Sequence, residues 1–138
     1  MYEIVAAVTR FESSSPESTT STPIQAASFA VEQRGSAAVL TVSGEIDMVT
    51  APKLQEQLTK AVADEVAALV VDLSGVSFFA SAGLSALVNG YTLANERGAE
   101  LRVVATSSAT IRPLQITALD RKIPIFDSLE NALQGGRS

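Results

Sequence analysis

Hydrophobic residues in the middle of the chain form one short run followed by a helical repeat. Residues 66–71 are continuously apolar and rich in valine, which predicts a strand through Leu73 with both faces covered. Beyond it, apolar residues recur at the i, i+3, i+4, i+7 spacing of one helix face, and Gly98 supplies a stop signal. The residues of this face are Leu84, Leu87, Val88 and Tyr91. The pattern predicts a buried strand followed by an amphipathic helix that begins at Ser81.

The residues before this strand predict a hairpin and a first helix. Apolar positions alternate with polar ones up to a turn at residues 34–36, and a second apolar run ends at Gly44. The hairpin positions are Phe29, Val31, Val39, Leu40 and Val42. Thr50 is a suitable N-cap with Pro52 in the first turn, and one apolar helix face follows. That face consists of Leu54, Leu58, Ala61 and Val62.

After the central helix, the alternation of strands and helices continues. Residues 100–105 predict a strand because three of their side chains are large and apolar. Ser107 or Ser108 predicts the cap of a third helix, in which Pro113 is tolerable only in the first turn. The apolar face of this helix is predicted to contain Ile111, Leu114, Ile116 and Leu119.

A short strand and a last helix complete the pattern. Residues 123–126 predict an edge strand because proline cannot donate to a central ladder, and Asp127 or Ser128 caps the helix. The apolar residues of that helix are Leu129, Ala132 and Leu133. Alternating strands and helices imply right-handed crossovers and parallel pairing, to which the hairpin adds an antiparallel pair. The sequence thus predicts a single α/β domain with a mixed, mostly parallel sheet of roughly four to five strands and about four α-helices.

Composition divides the chain into an arm, a domain and a short tail. Residues 12–23 are nearly all Ser, Thr, Pro and Glu, which bury too little apolar surface to offset the entropy of ordering them. We expect a flexible N-terminal arm over residues 1–27, a folded domain over residues 28–134 and a frayed end over residues 135–138. The apolar run at residues 4–8 fits an edge strand, a packing contact or disorder, and the sequence does not choose among them.

The composition also excludes several classes of function. The 138 residues are 46% hydrophobic, and their formal charge of −5 disfavours nucleic acid as a partner, since phosphate binding needs a basic face. The absence of cysteine and histidine excludes a disulfide and a Ser-His-Asp hydrolase and argues against a zinc site. With no signal-peptide pattern and no apolar span of about 20 residues, we expect a cytoplasmic protein that contacts no membrane. Because the chain has no histidine to act as a general base and no cofactor motif, we expect that it is not an enzyme and uses no cofactor.

Ser81 is the first candidate for chemistry because it stands where a strand runs into a helix. A helix N-terminus exposes unpaired N–H groups and a partial positive charge, so a serine there can cap the helix or carry a phosphoryl group. Ala80 has no side-chain oxygen and cannot cap. From the local sequence alone, the favoured role of Ser81 is a structural cap through the N–H of Gly83 or Leu84, with a phosphoacceptor that also caps as the alternative.

Acidic residues before the first helix, and acidic and aromatic residues just before Ser81, allow more than one interpretation. Glu45 and Asp47 fit a carboxylate pair for acid–base chemistry, a solvated loop, or an acidic rim that meets basic groups on a partner, and we favour the rim. Asp72 is expected to stabilise a turn at the strand end. Phe78 and Phe79 are expected in the core, with one of them exposed beside Ser81 as a contact.

Four segments in order, residues 44–52, 71–79, 81–84 and 125–129, resemble the STAS domain of bacterial anti-sigma factor antagonists. The resemblance extends from about residue 28 to residue 133. Members commonly have Asp-Ser-(Ser/Thr)-Gly-Leu where this chain has Ala80-Ser81-Ala82-Gly83-Leu84. The serine is kept, whereas its acidic neighbour and the second hydroxyl are replaced by alanine.

The resemblance implies a function, a partner and a surface. Members bind an anti-sigma factor that is also a serine kinase and thereby release a sigma factor, and phosphorylation of the helix serine, here Ser81, breaks the complex. It implies a stress-response regulator of bacterial transcription that is a monomer or weak dimer, with no cofactor and no direct contact with nucleic acid. The partner-binding residues expected on this basis are Glu45, Asp47, Thr50, Phe79, Ser81, Gly83 and Leu84.

Two other functions remain open at this stage. The first is a STAS module without phospho-switching, which binds its partner constitutively or senses a small ligand such as a nucleotide at the helix N-terminus. The second is an enzyme with Ser81 as nucleophile. It is the poorest, because no histidine is present and no motif places Lys53 or Lys60 as a base.

Overall fold

The computed structural model describes residues 27–63 and 65–135, and the predictions for residues 1–26 and 136–138 lie outside these ranges. The described residues form five strands, four α-helices and one 3-10 helix. In chain order these are β1 (Ala27–Arg34), β2 (Ala37–Ile46), α1 (Ala51–Ala63), β3 (Ala68–Phe79), α2 (Ser81–Glu96), β4 (Glu100–Val104), α3 (Ser108–Ile116), the 3-10 helix (Leu119–Arg121), β5 (Ile125–Phe126) and α4 (Leu129–Gln134).

The strands lie side by side in the order in which they occur in the chain. β1 pairs antiparallel with β2 as the predicted hairpin, and every other neighbouring pair is parallel. The short β5, which follows Pro124, forms the far edge, where a residue without an N–H does no harm. The predicted α/β fold with a mixed, mostly parallel sheet is therefore confirmed.

Helices cover both faces of the sheet, and this explains the unbroken apolar run in its central strand. Leu69 and Val71 of β3 pack into a large core with α1, α2 and α3, whereas Val70 packs on the other face against Ala132 of α4. Successive strand residues point to opposite faces, so a strand covered on both sides needs apolar residues at consecutive positions. None of the described helices is long and apolar enough to span a bilayer.

The central strand β3 is longer and less regular than predicted. The strand was expected to end at Leu73, because Ser74 and Gly75 are typical turn residues, but it continues to Phe79. Its pairing with β2 shifts twice, between Asp72 and Gly75 and between Val76 and Phe78, so β3 carries an extra residue at each place. Such bulges bend a strand without ending it. A Cβ at Gly75 would lie 2.9 Å from Cβ of Ser43, so glycine fits the first bulge.

Three expectations about α3 are wrong. The helix ends at Ile116, so Leu119 belongs to the 3-10 helix that follows it. Pro113 lies inside the helix rather than in its first turn, since the helix begins at Ser108. Ile116 was placed on the apolar face, but its side chain is 76% exposed whereas Leu114 is 1% exposed. Residues two apart lie on opposite sides of an α-helix, so the two side chains cannot share one face.

Candidate functional site

A hydrogen-bonded turn at residues 47–50 joins β2 to α1. The Asp47 carboxylate oxygen Oδ1 accepts hydrogen bonds from the backbone N–H of Val49 at 2.9 Å and of Thr50 at 3.1 Å. In return, Oγ1 of Thr50 accepts from the Asp47 N–H at 2.9 Å and donates to the carbonyl of Glu45 at 2.8 Å. These reciprocal bonds fix the backbone of the turn.

Thr50 occupies the predicted position immediately before α1, but its side chain faces the loop. Its backbone carbonyl accepts from the N–H groups of Lys53 and Leu54, at 3.0 and 3.2 Å, as an N-cap residue does. The hydroxyl is already bonded to Asp47 and Glu45. Thr50 therefore links the loop to the helix, and as a half-buried residue it offers little side-chain surface to a partner.

The same bonds stabilise the ionised form of Asp47. The hydrogen bond from the backbone N–H of Thr50 contributes most to holding the pKa of Asp47 below its usual value, and burial opposes it in part. The bond from Val49 acts in the same direction. Asp47 thus stays charged, but its Oδ1 is already hydrogen-bonded within the loop. The side chain of Glu45, in contrast, is exposed. Of the two predicted rim carboxylates, Glu45 is the freer to meet a partner.

Between Asp47 and Thr50 the turn presents two apolar side chains to solvent. Met48 is 81% exposed and Val49 is 83% exposed. Sequence analysis overlooked both residues because they are apolar and continue no helical or strand repeat. The available signal was the break in that repeat, since apolar residues in a short polar loop have no core to fill.

Ser81 is the first residue of α2, and the predicted capping role is wrong. The N-cap is Ala80, whose carbonyl accepts from the N–H groups of Gly83 at 2.9 Å and Leu84 at 3.3 Å. Parallel pairing with β2 extends one bond past Phe79, because the Ala80 N–H donates to the carbonyl of Ile46 at 2.8 Å. This bond holds Ala80 extended, so the helix begins at Ser81, one residue earlier than a cap at Ser81 would place it. Ser81 is exposed, and its hydroxyl does not cap the helix.

The Ile46–Ala80 bond brings the loop and the start of α2 to the same end of the sheet. A Cβ at Gly83 would lie 2.8 Å from Cγ2 of Ile46 and 2.8 Å from Cε1 of Phe79, so glycine permits this close approach. Gly83 is buried and Phe79 is only 5% exposed. Both were expected on the partner surface. The structure corrects this expectation, because both residues are buried where the start of α2 packs against β2 and β3.

The exposed aromatic ring is instead Phe78, at 51% exposure. The two bulges of β3 place Leu73, Val76 and Phe79 towards the core, and the second leaves Phe78 opposite Glu45 at the strand end. Leu84, also expected on the partner surface, is half-buried against the core. Within residues 27–63 and 65–135, no three acidic side chains are grouped to hold a metal ion.

This arrangement defines a class of protein. An α/β domain in which an exposed serine opens the second helix, beside the loop after the second strand, has the architecture of a STAS domain. The sequence model of the STAS domain matches residues 28–132. The chain belongs to the STAS domain family and, within it, to the anti-sigma factor antagonists, as its relatives show.

Among those relatives, the anti-sigma-F factor antagonist RsfB of Mycobacterium tuberculosis is 39% identical over 109 residues, which are 78% of this chain and 87% of RsfB. The anti-sigma-B factor antagonist of Bacillus subtilis is 32% identical over 104 residues, 75% of this chain and 94% of that protein. The crystal structure of an anti-sigma factor antagonist from Mycobacterium paratuberculosis superposes with a TM-score of 0.76 at 41% identity, covering 82% of this chain and 96% of that one.

Proposed function

We propose that this chain is an anti-sigma factor antagonist: it binds an anti-sigma factor and so frees a sigma factor. Relatives at 39% and 32% identity carry that name, and both match over most of their own length. The proposed binding surface is the end of the sheet where the loop at residues 45–50 meets the start of α2. The chain acts there by binding and not by catalysis, as a monomer or weak dimer in the bacterial cytoplasm and without contacting nucleic acid.

The proposed control is phosphorylation of Ser81 by the anti-sigma factor acting as a kinase. The γ-phosphoryl group of ATP passes to Oγ of Ser81, the hydroxyl proton goes to a base of the kinase, and ADP leaves. The observation that carries this proposal is that Ala80 takes the N-cap position and leaves the exposed Ser81 hydroxyl without a capping role. A phosphoryl group brings about −1.5 to −2 charge to an end of the sheet that already carries Glu45 and Asp47.

Release then follows from the interface rather than from unfolding. A dianion at the first position of α2 is compatible with the positive end of the helix dipole. In a complex, however, it must lose water at an end of the sheet that already carries the charges of Glu45 and Asp47. The fold is kept and the complex is lost.

The test uses the anti-sigma factors of the organism that encodes this chain, purified one by one. Each is mixed with the wild-type chain, with and without ATP, and binding and intact mass are measured. Ser85, an exposed serine one turn further along α2, provides the matched control. We expect one phosphoryl group on the wild type and on Ser85→Ala, and none on Ser81→Ala.

Two outcomes would change the proposal. Binding without phosphorylation would favour a STAS module that does not switch. This outcome is worth testing because Ala80 and Ala82 replace polar residues that are common in the family. Failure to bind any of the anti-sigma factors would contradict the function itself.

A further inference from the structure

The turn at residues 47–50 exposes more apolar side chain than any other part of the described chain. Val49 at 83% and Met48 at 81% are the most exposed large hydrophobic residues in residues 27–63 and 65–135, followed by Ile116 at 76%. Exposed apolar side chains that stand together mark interaction surfaces more often than isolated ones do. Met48 and Val49 are adjacent, whereas Ile116 stands alone on α3.

These two side chains are held outward by a fixed backbone. Asp47 and Thr50, on either side of the tip, are joined by hydrogen bonds, and the Thr50 hydroxyl donates a hydrogen bond to the carbonyl of Glu45. At its start the turn is attached to the sheet, since the Ile46 carbonyl accepts from Ala80. A tip that is rigid before binding loses little conformational entropy when a partner covers it.

The charges around the tip indicate what kind of surface would cover it. Glu45 and Asp47 precede Met48, and the first basic residue after the tip, Lys53, lies in α1 with its Nζ 3.9 Å from Oε1 of Glu56. The hydrogen bonds to Asp47 lower its pKa, so its negative charge is kept at neutral pH. A complementary partner therefore has an apolar pocket bordered by basic side chains.

We propose that Met48 and Val49 are the apolar anchor of the complex, inserted into such a pocket on the anti-sigma factor. This inference rests on the proposed function and adds the source of its affinity, which lies in the loop tip rather than in the acidic rim. Because the Ile46–Ala80 bond ties the turn to the start of α2, insertion of the tip also removes water near Ser81. Without water, a phosphoryl dianion on Ser81 has a large desolvation penalty. Burial of the tip therefore also increases the loss of affinity that phosphorylation causes.

The test replaces exposed apolar side chains by serine in the turn and, as a control, on α3. The double variant Met48→Ser, Val49→Ser removes the anchor, and Ile116→Ser removes an equally exposed side chain from α3. Binding to the anti-sigma factor that the wild type binds is measured by surface plasmon resonance at low and high salt. We expect the double variant to bind at least about tenfold more weakly and Ile116→Ser to stay within about twofold.

Kinetics separate the anchor from the acidic rim. Loss of an apolar contact speeds dissociation at every salt concentration, whereas Glu45→Gln slows association mainly at low salt. Thermal melts check that each variant is folded, and Val49→Thr, which keeps the side-chain shape, repeats the test with a minimal change.

Several results would overturn the inference. A folded double variant that binds as tightly as wild type would leave the proposed function standing and remove the anchor. The same would follow if Ile116→Ser lost as much affinity as the double variant, or if wild type formed dimers that the double variant did not, since a second copy would then cover the tip. A wild type that binds no anti-sigma factor would overturn the anchor and the proposed function together.

Discussion

At the scale of single residues, Gly83 shows most clearly how packing positions the site. A methyl group at this position would overlap Ile46 and Phe79 at 2.8 Å, and both side chains are buried. The residue sits in the first turn of α2, so its size sets how closely the helix start approaches the loop. Sequence analysis identified Gly83 as part of a motif, but only the three-dimensional contacts show that its role is close packing.

We predict that Gly83→Ala lowers the stability of the domain. Overpacking costs about 1–3 kcal/mol, which exceeds the gain of up to about 1 kcal/mol from replacing glycine in a helix. Gly90→Ala is the control, since the three atoms nearest its Cβ would all belong to the Leu58 side chain, at 3.0, 3.5 and 3.5 Å. Urea denaturation should show the larger loss for Gly83→Ala. Equal stability of the two variants would mean that Ile46 and Phe79 pack less tightly around Gly83 than the distances imply.

Asp47 makes a contribution to stability that depends on pH. Its pKa is lowered in the folded state, chiefly by the Thr50 N–H, so the folded state favours the ionised carboxylate. Its contribution is therefore complete above the unfolded-state pKa and is lost as the pH falls through the folded-state pKa. Asn in this position keeps an oxygen that accepts from Val49 and Thr50 but does not titrate.

The predicted result is a smaller pH dependence for Asp47→Asn. Between about pH 6 and about pH 3, the free energy of unfolding should fall by less in the variant than in wild type, measured by urea denaturation at each pH. Other carboxyl groups titrate equally in both proteins and cancel in the comparison. An identical fall would show that the loop does not depend on the charge of Asp47.

At the scale of elements, the strand β3 marks the limit of what the sequence reveals. The run at residues 66–71 predicts its buried half, because an unbroken apolar stretch has a simple physical meaning. The second half has buried residues at Leu73, Val76 and Phe79, a spacing of three that matches neither the strand nor the helix period. That spacing results from two bulges against β2, and a bulge depends on the neighbouring strand, which a local pattern does not contain.

The N-cap of α2 was misassigned for the same reason, although the helix begins at Ser81 as predicted. Serine is a better N-cap than alanine, so local preference selects Ser81. The hydrogen bond from Ala80 to Ile46 on the neighbouring strand overrides that preference. The order of the motifs thus predicts where the candidate site lies, whereas the N-cap at Ala80 and the exposure of Phe78 rather than Phe79 could not be predicted from it.

The bulges predict that two adjacent phenylalanines contribute very differently to the free energy of unfolding. Phe79→Ala should cost about 3–5 kcal/mol because it leaves a cavity beside Ile46 and Gly83. Phe78→Ala should cost well under half as much, since that ring is 51% exposed. Chemical denaturation of the two variants measures the difference directly. Similar losses would contradict the observed register of β3.

At the scale of the whole molecule, the switch proposed above separates stability from binding. A negative charge at the first residue of α2 interacts with the helix dipole by up to roughly 1 kcal/mol when exposed. Ser81→Asp should therefore melt no lower than wild type, and phosphorylation should leave the domain folded. The domain then acts as a rigid frame whose surface charge changes while its core does not.

The most direct test of this account is the affinity of the chain for its anti-sigma factor with and without a phosphoryl group on Ser81. Calorimetry on the phosphorylated and unphosphorylated proteins measures it, with Ser85→Asp as the control for added charge on the same helix. We expect phosphorylation of Ser81 to weaken binding by at least about a hundredfold, or about 2.8 kcal/mol, with unchanged melting, while Ser85→Asp keeps most of the affinity. A chain phosphorylated at Ser81 that binds as tightly as the unmodified one would contradict the account.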